Sequence, residues 1–368
     1  VLDTGIDDYL RAMPRFRADL DLITPYTPGR SIDEVAAELG ISDVAKLASN
    51  ECPFPPWPEV VEAISAAGAS VNRYPDNDYA GLRAATASRL QIPADHLWFG
   101  GGSSDLLRSI GIAMGGPGTS TAYATPSFVL YRIITRISGS EPVEVPLTTG
   151  WVHDPQRLVE AVRGDTTLLY VCNPNNPTGT HLAKESVRWI VDQVPEQVLV
   201  VVDEAYLHYA DAPDFASAVP LALERDNVVV AHTFSKVYGL AGLRVGYAVG
   251  NPNTLAALRK PQTPFPVTAV GQAAATEALR HPSRVAERSI HNARERSRLA
   301  SVLDSLGIER ADSQTNFLFH RSPGPAIDYL QYGVIVRPGT DGWVRTTIGL
   351  ESENDRFVDA LQAVGDNT

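Results

Sequence analysis

The stretch HTFSKVYGLAGLRVGYAVG, residues 232–250, indicates the fold of this chain most directly. An apolar run, VVVA, precedes it and the apolar run LRVGYAVG ends it, so two buried strands are predicted with a turn between them. Lys236 lies in that turn, and the next charged residue is Arg244, eight positions on. A lysine at the end of a strand is ordinarily solvated. The alternative is a reactive amine, and the rest of the sequence decides between the two interpretations.

Further apolar runs on the N-terminal side extend this pattern. LLYVCNP (168–174), VLVVVDEAY (198–206) and VVVAHTFSK (228–236) are nearly continuous runs of Val and Leu, and KESVRWIVDQV (184–194) has the spacing of a helix. Strands of this kind, alternating with helices, are typical of a parallel sheet covered on both faces. The sequence therefore predicts an α/β fold for the middle of the chain.

The two ends of the chain predict a second, smaller unit. With 368 residues the chain is long enough for about two domains. A helix-rich segment follows residue 268, and the strand-like runs NFLFH (316–320) and WVRTTIG (343–349) precede a final helix. We predict an N-terminal arm over 1–47 that joins the small domain, a large domain over 48–262, and a small α+β domain over 263–368.

Composition excludes several classes of function. The net charge of −12 argues against a nucleic-acid partner and against an anionic membrane surface. The two cysteines, Cys52 and Cys172, lack the spacing of metal ligands, so no metal site and a cytoplasmic location are expected. No apolar run approaches the roughly 20 residues that span a bilayer, and the polar, acidic first residues do not resemble a secretory signal.

Polar side chains follow three of the predicted strands where each strand ends. Asn176 lies in the turn NPNNPTG, Asp203 and Tyr206 lie in DEAY, and Lys236 follows the third strand. Each has an ordinary explanation alone, since Asn, Pro and Gly form turns and Asp often caps a helix. Ligands of open α/β sheets bind beyond the carboxyl ends of the strands. An amide, a carboxylate, a phenol and an amine at one edge therefore predict a site.

Pyridoxal phosphate is the cofactor that fits this set. A lysine amine such as that of Lys236 forms a Schiff base with an aldehyde, and Asp203 can pair with the ring nitrogen. Asn176 and Tyr206 can hold the phenolic oxygen of the ring. The phosphate requires donors and positive charge, which three residues near the lysine supply: Thr233, Ser235 and Arg244.

A glycine-rich loop offers further contacts to a phosphate. In WFGGGSSDLL, residues 100–102 are glycines, and Ser103 and Ser104 begin a helical pattern. The N-terminus of a helix behind such a loop favours a bound phosphate. The ordinary alternative is a flexible turn with a serine cap.

These motifs resemble the type I pyridoxal-phosphate aminotransferase family, with the aspartate aminotransferase fold. The most specific are NPNNPTGT (173–180), DEAY (203–206) and TFSKVYGLAGLRVGYAV (233–249). The nearest branch contains histidinol-phosphate aminotransferases and the aromatic amino acid (phenylalanine) aminotransferases of actinobacteria. The resemblance implies a large domain with a mostly parallel seven-stranded sheet between helices, plus a smaller α+β domain.

The resemblance also implies roles for residues outside the strand ends. Lys236 would carry the cofactor and shuttle the substrate proton, and Phe128 would stack on the ring. Tyr74 would reach the phosphate of a neighbouring subunit, which implies a homodimer with shared sites. Ordinary packing is the alternative for these two aromatic residues. Four residues would contact the substrate: Tyr26, Asn50, Arg337 and Arg345. For Arg337 a surface charge is the alternative.

The substrate stays open at the level of sequence. The family often has NENP where this chain has NECPFPPWP, so Cys52 replaces an amide and Trp57 adds an aromatic ring. An aromatic amino acid or histidinol phosphate is the expected amino donor, with a 2-oxo acid such as 2-oxoglutarate as acceptor. A decarboxylase, an elimination or cyclising enzyme, or an oxidase on the same scaffold is the alternative, since fold does not fix chemistry. A binding domain without catalysis is a third possibility.

Overall fold

The computed structural model of the protein describes residues 16–27, 29–41 and 43–366. Two sheets organise this part of the chain, one of seven strands and one of four. The strands are β1 Ala45–Leu47, β2 Leu97–Gly100, β3 Ser120–Thr125, β4 Glu141–Pro146, β5 Thr166–Cys172, β6 Leu199–Asp203, β7 Val228–Thr233, β8 Gly246–Gly250, β9 Phe317–Arg321, β10 Val334–Pro338 and β11 Trp343–Thr347.

Helices surround both sheets. The α-helices are α1 Ile32–Leu39, α2 Pro58–Gly68, α3 Ala80–Leu90, α4 Ser103–Met114, α5 Leu130–Ser138, α6 Pro155–Glu160, α7 Lys184–Gln193, α8 Val219–Glu224, α9 Pro252–Leu258, α10 Ala269–Ala278, α11 Pro282–Ser305 and α12 Glu351–Asp366. Short 3-10 turns cover Ala18–Leu22, Ala94–His96, Leu207–Tyr209, Ala241–Leu243 and Ala326–Tyr332. In the residues that the structure describes, no helix has the length and apolar character needed to cross a membrane.

The seven-stranded sheet has the order β2-β8-β7-β6-β5-β3-β4. Strand β8 runs antiparallel to both of its neighbours, and the other pairs are parallel. Successive residues of a strand point to opposite faces, and the Val-rich strands bury both sets. In β6, Val200 and Val202 pack in one core cluster, whereas Val201 packs in another on the opposite face. This confirms the predicted mostly parallel sheet between helices.

The four-stranded sheet has the order β1-β10-β11-β9 and forms the second core. The sequence predicts β9 and β11 but not β1 or β10. Strand β1 has only three residues, and β10 ends in a proline, so neither has a strong strand signal. Strand β1 lies in the predicted N-terminal arm and pairs in parallel with β10. Residues 1–15 of that arm lie outside the described residues.

The long helix α11 connects the two cores. Near its start Val285 packs in the core of the large sheet, and near its end Leu299 and Leu303 pack in the core of the small sheet. Helix α10 packs against α2, and its Ala274 belongs to the larger core. The division at 47/48 and 262/263 stays a prediction. The arrangement leaves the carboxyl ends of β5, β6 and β7 facing the small sheet.

Candidate active site

A cavity of about 560 Å³ lies at the carboxyl ends of β5, β6 and β7. Its walls come from both sheets and from the segment before α1. All but one of the residues predicted for the site line it: Tyr26, Asn50, Ser103, Ser104, Phe128, Asn176, Asp203, Tyr206, Thr233, Ser235, Lys236, Arg244, Arg337 and Arg345. The cavity therefore brings together residues that are more than 300 positions apart in the chain.

Lys236 follows β7 and projects into this cavity as a half-buried side chain. Its Nζ donates to the main-chain oxygen of Asn50 at 3.2 Å and lies 5.4 Å from the centre of the Tyr206 ring. Burial, and then the charge of Arg345, lower the pKa of Lys236 to about 8. Loss of water disfavours the charged form of an amine. The geometry therefore favours a reactive amine over a solvated surface charge.

Asp203 ends β6 on the floor of the cavity and is 2% exposed. Its carboxylate accepts a hydrogen bond from the Tyr131 hydroxyl at 2.9 Å and one from the Ala205 amide at 3.2 Å. Burial raises the pKa of Asp203, and these two donors oppose that shift. A buried carboxylate with fixed donors is suited to a cationic ligand group in the cavity.

Tyr131 is a residue that the sequence did not predict. Its ring stacks on Tyr170 with centroids 4.5 Å apart, and the Phe128 ring lies perpendicular to it with centroids 5.7 Å apart. The hydroxyl is fully buried against Asp203. The available signal was the spacing of Phe128 and Tyr131, one helical turn apart beside the cavity. The partner on β6 cannot be read from that spacing.

One end of the cavity is a cradle of donors around the start of α4. Ser103 and Ser104 begin this helix and line the cavity. Gly102 has a φ of 83°, and a Cβ there would lie 2.4 Å from Nη2 of Arg244. A side chain at this position would displace the guanidinium, so the glycine is required for the close approach.

The turn after β7 completes the cradle. The Thr233 hydroxyl donates to Ser235 Oγ at 2.9 Å, and Arg244 Nη1 donates to the same oxygen at 3.3 Å. Hydroxyls, a guanidinium and a helix N-terminus together form a donor set that suits a phosphate.

The opposite end of the cavity holds two arginines from adjacent strands. Arg345 on β11 is paired in register with Arg337 on β10. The guanidinium of Arg345 donates to Asn176 Oδ1 and to the Ala48 oxygen, each at 2.6 Å, and its Nε is buried without a partner among the described residues. Burial lowers the pKa of Arg345. Since Arg345 lines the cavity, its guanidinium can donate to an anionic group bound there.

Arg337 lies nearer to solvent at the mouth of the cavity. Its Nη2 donates to the Thr27 oxygen at 2.8 Å, and its guanidinium lies 5.5 Å from the centre of the Tyr26 ring. The exposed Tyr26 ring and Arg337 therefore form one wall of the mouth. Glu51, which the sequence did not predict, adds an acidic group there and pairs with Lys46 at 3.0 Å.

Asn50 joins the two ends of the cavity. Its side-chain Nδ2 donates to the Tyr206 hydroxyl at 2.9 Å, and its main-chain N–H donates to Thr347 Oγ1 at 3.0 Å. Burial raises the pKa of Tyr206 well above its ordinary value. The sequence predicts Asn50 as a substrate contact, and its direct partners here are Tyr206, Lys236 and Thr347.

Tyr74 is the predicted residue that the cavity does not include. Its side chain is 83% exposed, and its ring stacks on Phe265 with centroids 4.6 Å apart. The expectation places Tyr74 at the site of a neighbouring subunit. Its role there stays a prediction.

Comparison with known proteins gives consistent matches. Residues 42–361 match the family described as aminotransferase class I and II. The aromatic amino acid aminotransferase of Thermobifida fusca (strain YX) is 42% identical over 352 residues, covering 95% of this chain and 96% of the relative. The histidinol-phosphate aminotransferase of Moorella thermoacetica is 36% identical over 371 residues, covering 98% and 96%.

Solved structures of aminotransferases also match this chain. The histidinol-phosphate aminotransferase from Sinorhizobium meliloti, in complex with pyridoxal-5'-phosphate, superposes with a TM-score of 0.88 at 27% identity. The superposition covers 97% of this chain and 99% of that chain.

Proposed function

The chain belongs to the class I and II aminotransferase family, and we propose that it transfers an amino group from an aromatic amino acid or histidinol phosphate to a 2-oxo acid such as 2-oxoglutarate. The observation that carries this proposal is the Lys236 amine, whose pKa falls to about 8 in a cavity that also holds Asp203 and Arg345. An amine that is partly neutral near pH 8 can act as a base at physiological pH.

We propose pyridoxal phosphate as the cofactor, because the residues of the cavity fit each of its groups. The donor cradle formed by Ser103, Ser104, Thr233, Ser235 and Arg244 suits the phosphate. Asp203 would give the protonated ring nitrogen a carboxylate partner, and Asn176 and Tyr206 would donate to the phenolic oxygen. Phe128 offers a ring for stacking. When bound, the cofactor supplies the carbonyl group and the electron-withdrawing ring.

The remaining chemistry belongs to side chains of the protein. Lys236 Nζ would take the proton from Cα of the amino donor and would then deliver it to C4′ of the cofactor. Tyr131 and the Ala205 amide hold the Asp203 carboxylate in place during this transfer. The Asn50 oxygen, 3.2 Å from Nζ, restrains the amine at the side of the Tyr206 ring.

Arg345 would bind the carboxylate of the amino donor. A guanidinium presents two parallel donors to a carboxylate, which fixes orientation as well as affinity. Its place in the wall of the cavity supports this role. Arg337 and Tyr26 at the mouth would contact the other end of the donor, an aromatic ring or a phosphate.

We propose a homodimer in which Tyr74 contacts the partner's cofactor. The exposed stack of Tyr74 on Phe265 supports this proposal, since a large exposed aromatic pair is typical of an interface. The unpaired Cys52 and Cys172 fit the reducing cytoplasm expected from the sequence.

The test is a single-turnover experiment on the protein loaded with pyridoxal phosphate. Phenylalanine, tyrosine, tryptophan, histidinol phosphate and glutamate are added one at a time, and the cofactor absorbance is followed. Conversion to pyridoxamine phosphate by one donor, reversed by 2-oxoglutarate, is expected and names the donor class. Release of carbon dioxide or ammonia, or consumption of oxygen, without that conversion would contradict the proposed transfer.

A further inference from the structure

Arg288 is a buried cation outside the cavity, close to the reactive lysine. It lies on α11 and is 6% exposed. Its Nη1 donates to the Val237 oxygen at 2.9 Å, and its Nη2 donates to the Pro55 oxygen at 2.5 Å. The guanidinium lies over the Trp57 ring, 4.2 Å from its centre. One side chain therefore bridges two separate loops.

The first of these loops carries the reactive amine. Val237 directly follows Lys236, and the Gly239 amide donates to the Lys236 oxygen at 2.9 Å to close the turn. Gly239 has a φ of 71°, and a Cβ there would lie 2.9 Å from Arg288 Nη1. The turn is therefore packed directly against the guanidinium.

The second loop begins with the residue that restrains the amine. It runs from Asn50 through Pro55 to Trp57, and the Asn50 oxygen accepts from Lys236 Nζ at 3.2 Å. The two loops therefore meet at the amine, at Arg288, and directly where Cys52 Sγ donates to the Val237 oxygen at 3.9 Å. Of these contacts, the Arg288 guanidinium is the charged group that holds a main-chain oxygen of each loop.

We propose that Arg288 is a positioning residue for Lys236. From outside the cavity, Arg288 fixes the lysine turn and the 50–57 loop in position relative to each other. Its planar fork reaches two carbonyl oxygens at once, whereas the single ammonium of a lysine reaches them from one point. Catalysis depends strongly on such placement, because a displacement of 1 Å at the reacting groups can cost about 100-fold in rate. The inference rests on the role proposed for Lys236.

Arg296 provides a matched control on the same helix. It is also 6% exposed, and its guanidinium also bridges two separate segments of the chain. Its Nη1 donates to the Tyr209 oxygen at 2.9 Å and to the Thr315 oxygen at 3.3 Å, and its Nη2 pairs with Asp211 at 2.7 Å. None of these three partners belongs to the lysine turn or to the 50–57 loop. Loss of Arg296 therefore removes a comparable buried arginine without releasing the amine.

The test compares Arg288→Met, Arg288→Lys and Arg296→Met as proteins loaded with pyridoxal phosphate. Three quantities are measured: the unfolding midpoint, the visible circular dichroism per bound cofactor, and the single-turnover rate with the best amino donor. For Arg288→Met we expect the dichroism to fall at least about twofold and the rate to fall about 10- to 100-fold. Arg288→Lys should recover part of both. Arg296→Met should lower the unfolding midpoint about as much as Arg288→Met does. It should leave the dichroism and the single-turnover rate within about twofold of wild type.

Two outcomes would overturn the inference. One is an Arg288→Met protein with wild-type dichroism and rate, and the other is an equal loss of both in Arg296→Met. If Arg288→Met does not fold, the dichroism and the rate of Arg288→Lys are compared with those of wild type and of Arg296→Met instead. Failure of the proposed function is a distinct result, since wild-type protein would then show no amino transfer to measure and no absorbance band from cofactor held at Lys236.

Discussion

The two ends of the cavity are built differently, and the difference explains how each is held. At the end proposed for the cofactor, Asp203 and Thr233 are the last residues of strands that are buried along their whole length, so their positions follow from the core of the large sheet. At the end proposed for the substrate, the Asn50 loop and β11 are far apart in the chain and meet through hydrogen bonds between Asn50 and Thr347, across 297 positions. Packing fixes the first end, whereas polar contacts between the two sheets fix the second.

Removal of the amine should give the largest effect. Lys236→Ala is expected to lower the rate of amino transfer by about 1,000-fold or more, because general base catalysis contributes about 10² to 10⁴. The protein should still fold and bind the cofactor without a covalent bond. The exposed Lys260 provides a control, since Lys260→Ala should leave the single-turnover rate unchanged. Near-normal activity of the Lys236→Ala protein would contradict the assignment.

Loss of the buried carboxylate should rank next. Asp203→Asn keeps an acceptor for the Tyr131 hydroxyl but removes the charge that faces the cavity. Removal of one group of this electrostatic kind costs about 100- to 1,000-fold in kcat. The single-turnover rate at saturating donor measures this loss. An asparagine variant within threefold of wild type would show that the charge of Asp203 is not required.

Variants of the two arginines, Arg345 and Arg337, should differ in their loss of kcat/KM. Arg345→Lys loses a buried fork, and hydrogen bonds to charged groups contribute about 1.5–3 kcal/mol, so kcat/KM should fall about 10- to 150-fold. Arg337→Lys changes a more exposed group, for which we expect a loss below about fivefold with phenylalanine. Steady-state kinetics with phenylalanine and histidinol phosphate check both values. Equal losses for both variants would contradict the difference in burial.

A pH titration of the cofactor-free protein should show the smallest, graded effect. The pKa of Lys236 is lowered from 10.5 to about 8. Between these values the folded amine is neutral while the unfolded amine binds a proton, so the contribution of Lys236 to stability rises with pH. A stabilising effect of Lys236→Met at pH 7 should therefore shrink between pH 8 and 10.5. Chemical unfolding across this range tests the sign, and an effect independent of pH would refute it.

The sequence predicted the cofactor end more completely than the substrate end. Val-rich runs identified β5 to β7, and the polar residues that end them were readable one motif at a time. Strands β1 and β10 of the small sheet were missed, because three residues and a proline-terminated run give little signal. Strands β2, β3 and β4 of the large sheet were not identified from their residues either.

Long-range partners account for the rest of what was missed. Tyr131 was absent from the expected site because its contact with Asp203 crosses 72 positions and depends on the fold. Asn50 lines the cavity and its predicted contact with substrate stays a prediction, whereas the bond from its side-chain amide to Tyr206 is not revealed by a single sequence. Residues that act through partners far along the chain carry no local pattern, and Arg288 is a further example.

The most direct test of the central claim is the covalent capture of the cofactor by borohydride. The protein is loaded with pyridoxal phosphate, reduced, digested and examined by mass spectrometry. We predict a stable phosphopyridoxyl group on the peptide that contains Lys236, with none on peptides that contain Lys46, Lys184 or Lys260. Labelling at another lysine, or a yellow protein that reduction leaves unlabelled, would contradict the account of Lys236 as the amine that holds the cofactor.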